Sequence, residues 1–214
     1  MTESAAVEDV RERIISVSSE RFIEEGFSSV PVEEIAAALG MSKKTFYKHF
    51  ASKEELLGVV TERILEGIHR QFAAIVERDT PFPEKLEALV TFLGEKLTRL
   101  GRPMMRDLQR HSPLVWARVQ QFRRERISND FRSLLLRGAD EGFVRRDVDI
   151  DLFLLAFIGA VEAVVNPAVL AGQSLSVREV VRSIMTVFLR GILTSRAGDA
   201  LAEHGSRTTG MSNS

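Results

Sequence analysis

Apolar residues recur at three- and four-residue spacing through almost every segment of this chain, and no stretch sustains the alternation of a half-buried strand. That pattern restricts the fold to helices packed on helices. Glycine and proline mark the breaks. A first helix is expected from Val7 to Glu25, on Val10, Ile14, Val17 and Phe22, and Gly26 stops it. Pro31 suits the first turn of a second helix, which runs to Leu39 and ends at Gly40. Ser42 stands at the N-cap of a short third helix, from Lys43 to about Phe50. Ser52-Lys53-Glu54-Glu55 is a capping box that opens a long fourth helix, to about Arg78.

Thr80-Pro81-Phe82-Pro83 breaks the pattern, and the next helix is expected from Glu84 to Leu100. A short helix then reaches His111, and Ser112-Pro113 opens another that ends at Gly138 or Gly142. A polar link over 145–149 leads to a strongly apolar helix from Asp151 to about Ala171. A second capping box, Ser176 to Glu179, opens the last helix, which runs to about Ser195. The expectation is an all-α protein of about nine helices. Residues 1–52 form a compositionally distinct front end, 53–196 a larger helical part, and 197–214 a polar tail with little to bury, expected to be disordered.

At 214 residues the chain buries a sizeable core without staples, and it has no cysteine for disulfides or thiolate chemistry. No basic stretch followed by an apolar run stands at Met1-Thr2-Glu3-Ser4, so no signal peptide is expected. The longest apolar run, Leu152 to Val165, is too short to span a bilayer. These features point to a cytoplasmic protein without a membrane partner. No glycine-rich phosphate loop is present and the four histidines are scattered, so no catalytic residue, metal site or cofactor is expected. His111 reads as an ordinary helix-end histidine, with no second ligand at metal spacing.

Net charge is −1, which argues against a protein that coats nucleic acid but not against a local reading element. Acidic residues stop at Glu34 and resume at Glu54, and Lys43, Lys44, Lys48 and Lys53 lie between them. Small residues in the second helix, Gly40 in the turn and a seven-residue third helix make a helix-turn-helix. Ile35, Ala36, Leu39, Phe46 and Phe50 form its packed side, since Phe46 and Phe50 are four apart. Lys43, Lys44, Tyr47, Lys48 and His49 then point away, and Lys44, Thr45 and His49 can reach base edges in a major groove ~12 Å wide. A plain solvated basic face is the alternative for the same residues.

Gly26-Phe27, Val32-Glu33-Glu34-Ile35-Ala36, Leu39-Gly40-Met41-Ser42-Lys43, Thr45-Phe46-Tyr47-Lys48-His49-Phe50 and Ser52-Lys53-Glu54-Glu55-Leu56 together resemble the DNA-binding domain of TetR-family transcriptional regulators, over about residues 10–57. The resemblance implies a homodimer on a palindromic double-stranded DNA operator, usually a repressor, released by a small-molecule effector. A constitutive regulator without an effector is the alternative, and a helical enzyme has no positive feature behind it. The resemblance places Lys43, Thr45, Tyr47, Lys48 and His49 on DNA, with Lys53 beside the backbone. Two positions depart from the family. Lys44 replaces a frequent glycine, and Val30-Pro31 replaces a frequent hydroxyl residue at the second helix's start, where Ser28 or Ser29 can substitute.

The helix from Asp151 is apolar nearly all round, which suits packing on both its own core and a partner, and Gly159 allows close helix approach. With the last helix it makes a candidate two-fold interface carrying Phe153, Phe157, Val161, Val180, Ile184 and Phe188. A purely intramolecular core is the alternative. An effector pocket is expected among the middle helices. Its candidate lining is Phe92, Met104, Met105, Leu108, His111, Trp116, Phe122, Phe157 and Glu162, each also readable as core. Arg102, Arg106, Arg110, Arg118, Arg123, Arg124 and Arg126 read as a solvated face or as an anchor for an anionic effector. The sequence identifies neither effector, operator, regulated genes nor the sign of regulation.

Overall fold

The computed structural model describes residues 3–99, 102–165 and 177–197. Among them are ten α-helices: α1 (Glu3–Glu25), α2 (Val32–Ala38), α3 (Lys43–His49), α4 (Lys53–Val76), α5 (Phe82–Arg99), α6 (Arg102–His111), α7 (Pro113–Phe122), α8 (Ser128–Asp140), α9 (Ile150–Val165) and α10 (Val177–Ile192). A π-helical turn, Arg123–Ile127, joins α7 to α8 with helical backbone at both ends. The rod expected from Pro113 onward is therefore continuous, with one widened turn. The expected disorder of the tail and the residues between Val165 and Val177 lie outside the described residues.

The punctuation works as local chemistry requires. Gly26, Gly40 and Gly142 carry the positive φ values of the chain, +88°, +65° and +79°. At Gly40 the Met41 N–H reaches back to the Ala36 carbonyl at 3.0 Å, which satisfies an end carbonyl of α2. Ser42 caps α3 by accepting the Thr45 N–H at 3.1 Å. Ser52 accepts the Glu55 N–H at 3.0 Å, and the Glu55 carboxylate returns to the N–H of Ala51, one residue before the cap, at 2.6 Å. Asp149 caps α9 by accepting the Asp151 and Leu152 N–H groups, both at 3.0 Å.

Two boundaries differ from expectation. Pro31 precedes α2 with an extended ψ of 152° rather than lying in its first turn, and its carbonyl is the first acceptor of that helix. Helix α5 starts at Phe82 rather than Glu84, because Pro83 sits in a first turn that does not need its N–H.

Contacts divide the chain into two units. The first joins residues 1–68 with 99–121, and the second joins 69–98 with 122–214. The first unit's core brings Ile14, Phe22, Ile35, Phe46 and Phe50 together with Met104, Met105 and Leu108 of α6 and Val119 of α7. Full burial of such side chains is worth roughly 1.5–3 kcal/mol each.

In the second unit, Phe82 stacks on Phe143 at 5.7 Å and 11°, and Gly138 gives the ring its space, since a Cβ there would lie 2.4 Å from it. The loop after α8 is tied to the end of α10. Arg145 donates its N–H to the Ile192 carbonyl at 2.8 Å, and Thr194 donates to Phe143 at 3.0 Å. No described helix is long and apolar enough to cross a membrane.

Candidate nucleic-acid interface

Helix α3 owes its orientation to two rings. Phe46 and Phe50 are 0% and 1% exposed and anchor one side of the helix in the first core. Their burial turns Lys43, Lys44, Tyr47 and Lys48 outward, and all four are exposed. His49 and Thr45 are half-buried. The Tyr47 ring meets Phe46 edge-on at 5.3 Å, so the outward tyrosine is braced from within. Thr45 shares its hydroxyl with Ser42, the oxygens 2.9 Å apart, which ties this candidate base-reading group to the cap.

The lysines are not equivalent. Lys43 pairs with Glu33 of α2, and that hydrogen bond raises the lysine's pKa and lowers the glutamate's. No pairing partner is given for Lys44 or Lys48. Lys53, at the start of α4, is half-buried with its ammonium 4.3 Å over the Phe27 ring. Burial lowers its pKa, opposed by the charges of Glu54, Asp107 and Glu33. The turn before α2 exposes both Ser28 and Ser29. The Ser28 N–H donates to Asp107 of α6 at 2.7 Å.

Three contributors were not visible in the sequence. Arg21 of α1 binds Glu25 at 2.7 Å and also Glu34 of α2, and hydrogen bonds to both raise its pKa. Glu33 controls Lys43. Asp107 holds the α1–α2 turn from 79 positions away. Only the four-residue spacing of Arg21 and Glu25 could have signalled any of these.

The nine candidate pocket residues fall into two groups. Met104, Met105 and Leu108 are buried in the first unit's core, Trp116 is packed against that core, and His111 is exposed. They brace the helix-turn-helix. Phe92, Phe122, Phe157 and Glu162 belong to the second unit. Phe92 lines an open groove of about 620 Å³ between the end of α4 and α5, with Gln71, Arg78, Glu84 and Glu95. Phe157 lies between Phe131 and Phe188, at 5.7 and 5.6 Å. Of the arginine cluster, Arg106, Arg110, Arg118, Arg124 and Arg126 are exposed and Arg123 is half-buried.

The candidate interface residues also separate. Phe153 and Phe157 are buried inside the single chain, so they do not present a surface to a partner. Val161, Val180, Ile184 and Phe188 are half-buried. The apolar side chains that face outward on these helices are Leu152, Leu155 and Val187, 63%, 70% and 69% exposed. Among the described residues no group of three or more His, Asp or Glu is placed to hold a metal.

Comparison with known proteins bears on the same segment. The family model described as bacterial regulatory proteins, tetR family, matches residues 14–60. The chain is 25% identical over 189 residues to the HTH-type transcriptional regulator YvaF of Bacillus subtilis (strain 168), covering 88% of this chain and 98% of that one. It is 28% identical over 153 residues to the HTH-type transcriptional repressor DhaR of Mycobacterium sp. (strain GP1), covering 69% and 77%. The solved structure of a TetR/AcrR-family regulator from Thermobifida fusca YX-ER1 superposes with a TM-score of 0.62 at 26% identity, covering 86% of this chain and 98% of that one.

Proposed function

This chain belongs to the TetR family of bacterial transcriptional regulators and is a DNA-binding protein, and on that premise we propose that it is a homodimeric repressor released from a palindromic operator by a small molecule. The observation that carries the proposal is the α3 face: a helix capped by Ser42, anchored by Phe46 and Phe50, and presenting Lys43, Lys44, Tyr47 and Lys48 to solvent. Residues 1–52 read DNA and 53–196 regulate and dimerise, with α6 and α7 packed on the DNA-reading helices. Lysines on such a face neutralise phosphates, and Lys44 with Thr45 and His49 approaches base edges. Lys53 and the exposed Ser29 flank the face beside the backbone.

Dimerisation is supported by one outward face. Leu152, Leu155 and Gly159 follow one another at helical spacing on α9, all exposed, and α10 adds Val187. A second copy with the same face covers these side chains through a two-fold four-helix contact. The family setting supports a cytoplasmic location.

Selection of bound sequences from random DNA tests the proposal. The expected result is an inverted pair of half-sites spaced by about one helical turn. Recovery of no enriched motif, or of a single unpaired half-site, rejects it.

A further inference from the structure

The interior of the second unit is largely aromatic. Phe92, Phe72, Phe131, Phe157 and Phe188 form a chain of rings with centroids 6.4, 6.2, 5.7 and 5.6 Å apart. Ionisable groups nevertheless occur in this unit. Glu162 of α9 has its Oε1 fully enclosed by protein with no hydrogen-bond partner. Asp130 of α8, next to Phe131, has an enclosed Oδ2 that is also without a hydrogen bond, although His69 Nε2 lies 3.1 Å away. His69 in turn meets the Phe122 ring edge-on at 6.0 Å. Arg123 opens the π-helical turn, a distortion that is rare and frequently found at functional sites. Burial lowers the Arg123 pKa, and the charge of Glu162 opposes that shift.

An enclosed carboxylate oxygen without a donor is costly, and more so than a neutral acceptor. Here two carboxylates share the unit's interior with one guanidinium. What such an interior lacks is a donor, so an anionic head group does not complement it. The exposed arginines on the outer surface do not alter that local balance.

We propose that the effector is a mainly apolar molecule whose head group donates a hydrogen bond, through a hydroxyl or a protonated amine, to Glu162 Oε1 in the second unit. The proposal deepens the repressor reading and rests on it for its regulatory meaning. Ring faces accommodate the apolar body, and they also favour a cationic head placed over them. A hydroxyl and an ammonium share the required chemistry, and the charge on Glu162 discriminates between them.

The test uses the full chain and two matched probe series: cinnamyl alcohol, cinnamylamine, cinnamyl methyl ether and cinnamate, and the decyl equivalents. Isothermal titration measures binding without DNA. In at least one series the alcohol or the amine is expected to bind roughly ten- to hundred-fold more tightly than its ether or its carboxylate, as a hydrogen bond to a charged acceptor implies. Glu162→Leu removes that preference. Glu162→Gln, which keeps an acceptor oxygen but not the charge, reduces amine binding more than alcohol binding. Equal binding of ether and donor, preference for the carboxylate, no binding by any member, or a preference that survives Glu162→Leu each overturns the proposal. The same preparation is assayed on the selected operator. Operator binding without donor preference rejects the Glu162 site alone, whereas absence of operator binding rejects the repressor reading whatever the probes do.

Discussion

Replacing Gly26 by alanine should destabilise the first unit by about 2–4 kcal/mol, and the structure divides that figure into two parts. The first part is backbone strain. Gly26 has φ +88°, a conformation that costs a residue with a Cβ roughly 1–2 kcal/mol. The second part is contact. A Cβ at Gly26 would stand 2.9 Å from the Asp107 Oδ2 and 3.2 Å from the Pro103 Cβ. The Asp107 carboxylate can swing aside, but it then gives up the Ser28 N–H at 2.7 Å, a further loss of about 1 kcal/mol or more. Gly40 supplies the control. Its φ is +65°, and a Cβ there meets nothing within 4 Å, so Gly40→Ala carries the strain alone. The assay is urea unfolding followed by the fluorescence of Trp116, the sole tryptophan, which packs against the first core. Protein concentration is held constant because association adds to apparent stability. Adding Asp107→Ala should bring the cost of Gly26→Ala closer to the Gly40→Ala value, a double-mutant cycle on the contact itself. Equal destabilisation by Gly26→Ala and Gly40→Ala would refute the assignment of the extra cost to Asp107 and Pro103.

Three other outcomes are expected. Ser42→Ala removes the cap of α3 and should cost about 1 kcal/mol in denaturant unfolding while weakening operator binding; retained affinity means that the cap does not set the helix on DNA. Leu155→Arg places a charge on the outward face of α9 and should shift light scattering from dimer toward monomer, with an unchanged mass counting against that face. Glu33→Gln frees Lys43, so the slope of log K against log salt should steepen by up to ~0.9 per additional phosphate contact. Acid should do the same to the wild type. The Glu33 pKa is lowered by Lys43, so the pair is complete above the ordinary glutamate pKa of ~4.3 and is lost as pH falls through the lowered value. An identical slope in both proteins rejects the parking of Lys43 on Glu33.

What could be read without coordinates was whatever depends on neighbours a turn away. Gly40, the Ser42 cap and the four-residue step from Phe46 to Phe50 together specify α3 and its outward lysines. Spacing alone does not say which core an apolar stripe joins. Met104, Met105 and Leu108 have the same pattern whether they line a pocket or brace the helix-turn-helix, and only the packing assigns them to the latter. Helix α9 is apolar on nearly every side, so periodicity could not separate the inward Phe153 and Phe157 from the outward Leu152 and Leu155. The partners of Lys43, Arg21 and Ser28 depend on tertiary placement, as Asp107 shows at 79 residues from Ser28. The π-helical turn at Arg123 has no compositional mark that distinguishes it from ordinary helix.

The return of residues 99–121 to the first unit has a consequence for synthesis and for dissection of the protein. A fragment ending at Ile68 contains every side chain proposed to touch DNA, yet it lacks the α6 and α7 residues that close the core beneath them. During translation the amino-terminal helices leave the ribosome first, but they must wait for Val119, a full chain segment later, before their apolar underside is covered. The DNA-reading end is thus an early segment that matures late. Transplanting it onto another regulator requires carrying α6 and α7 along, or redesigning the apolar surface they leave behind.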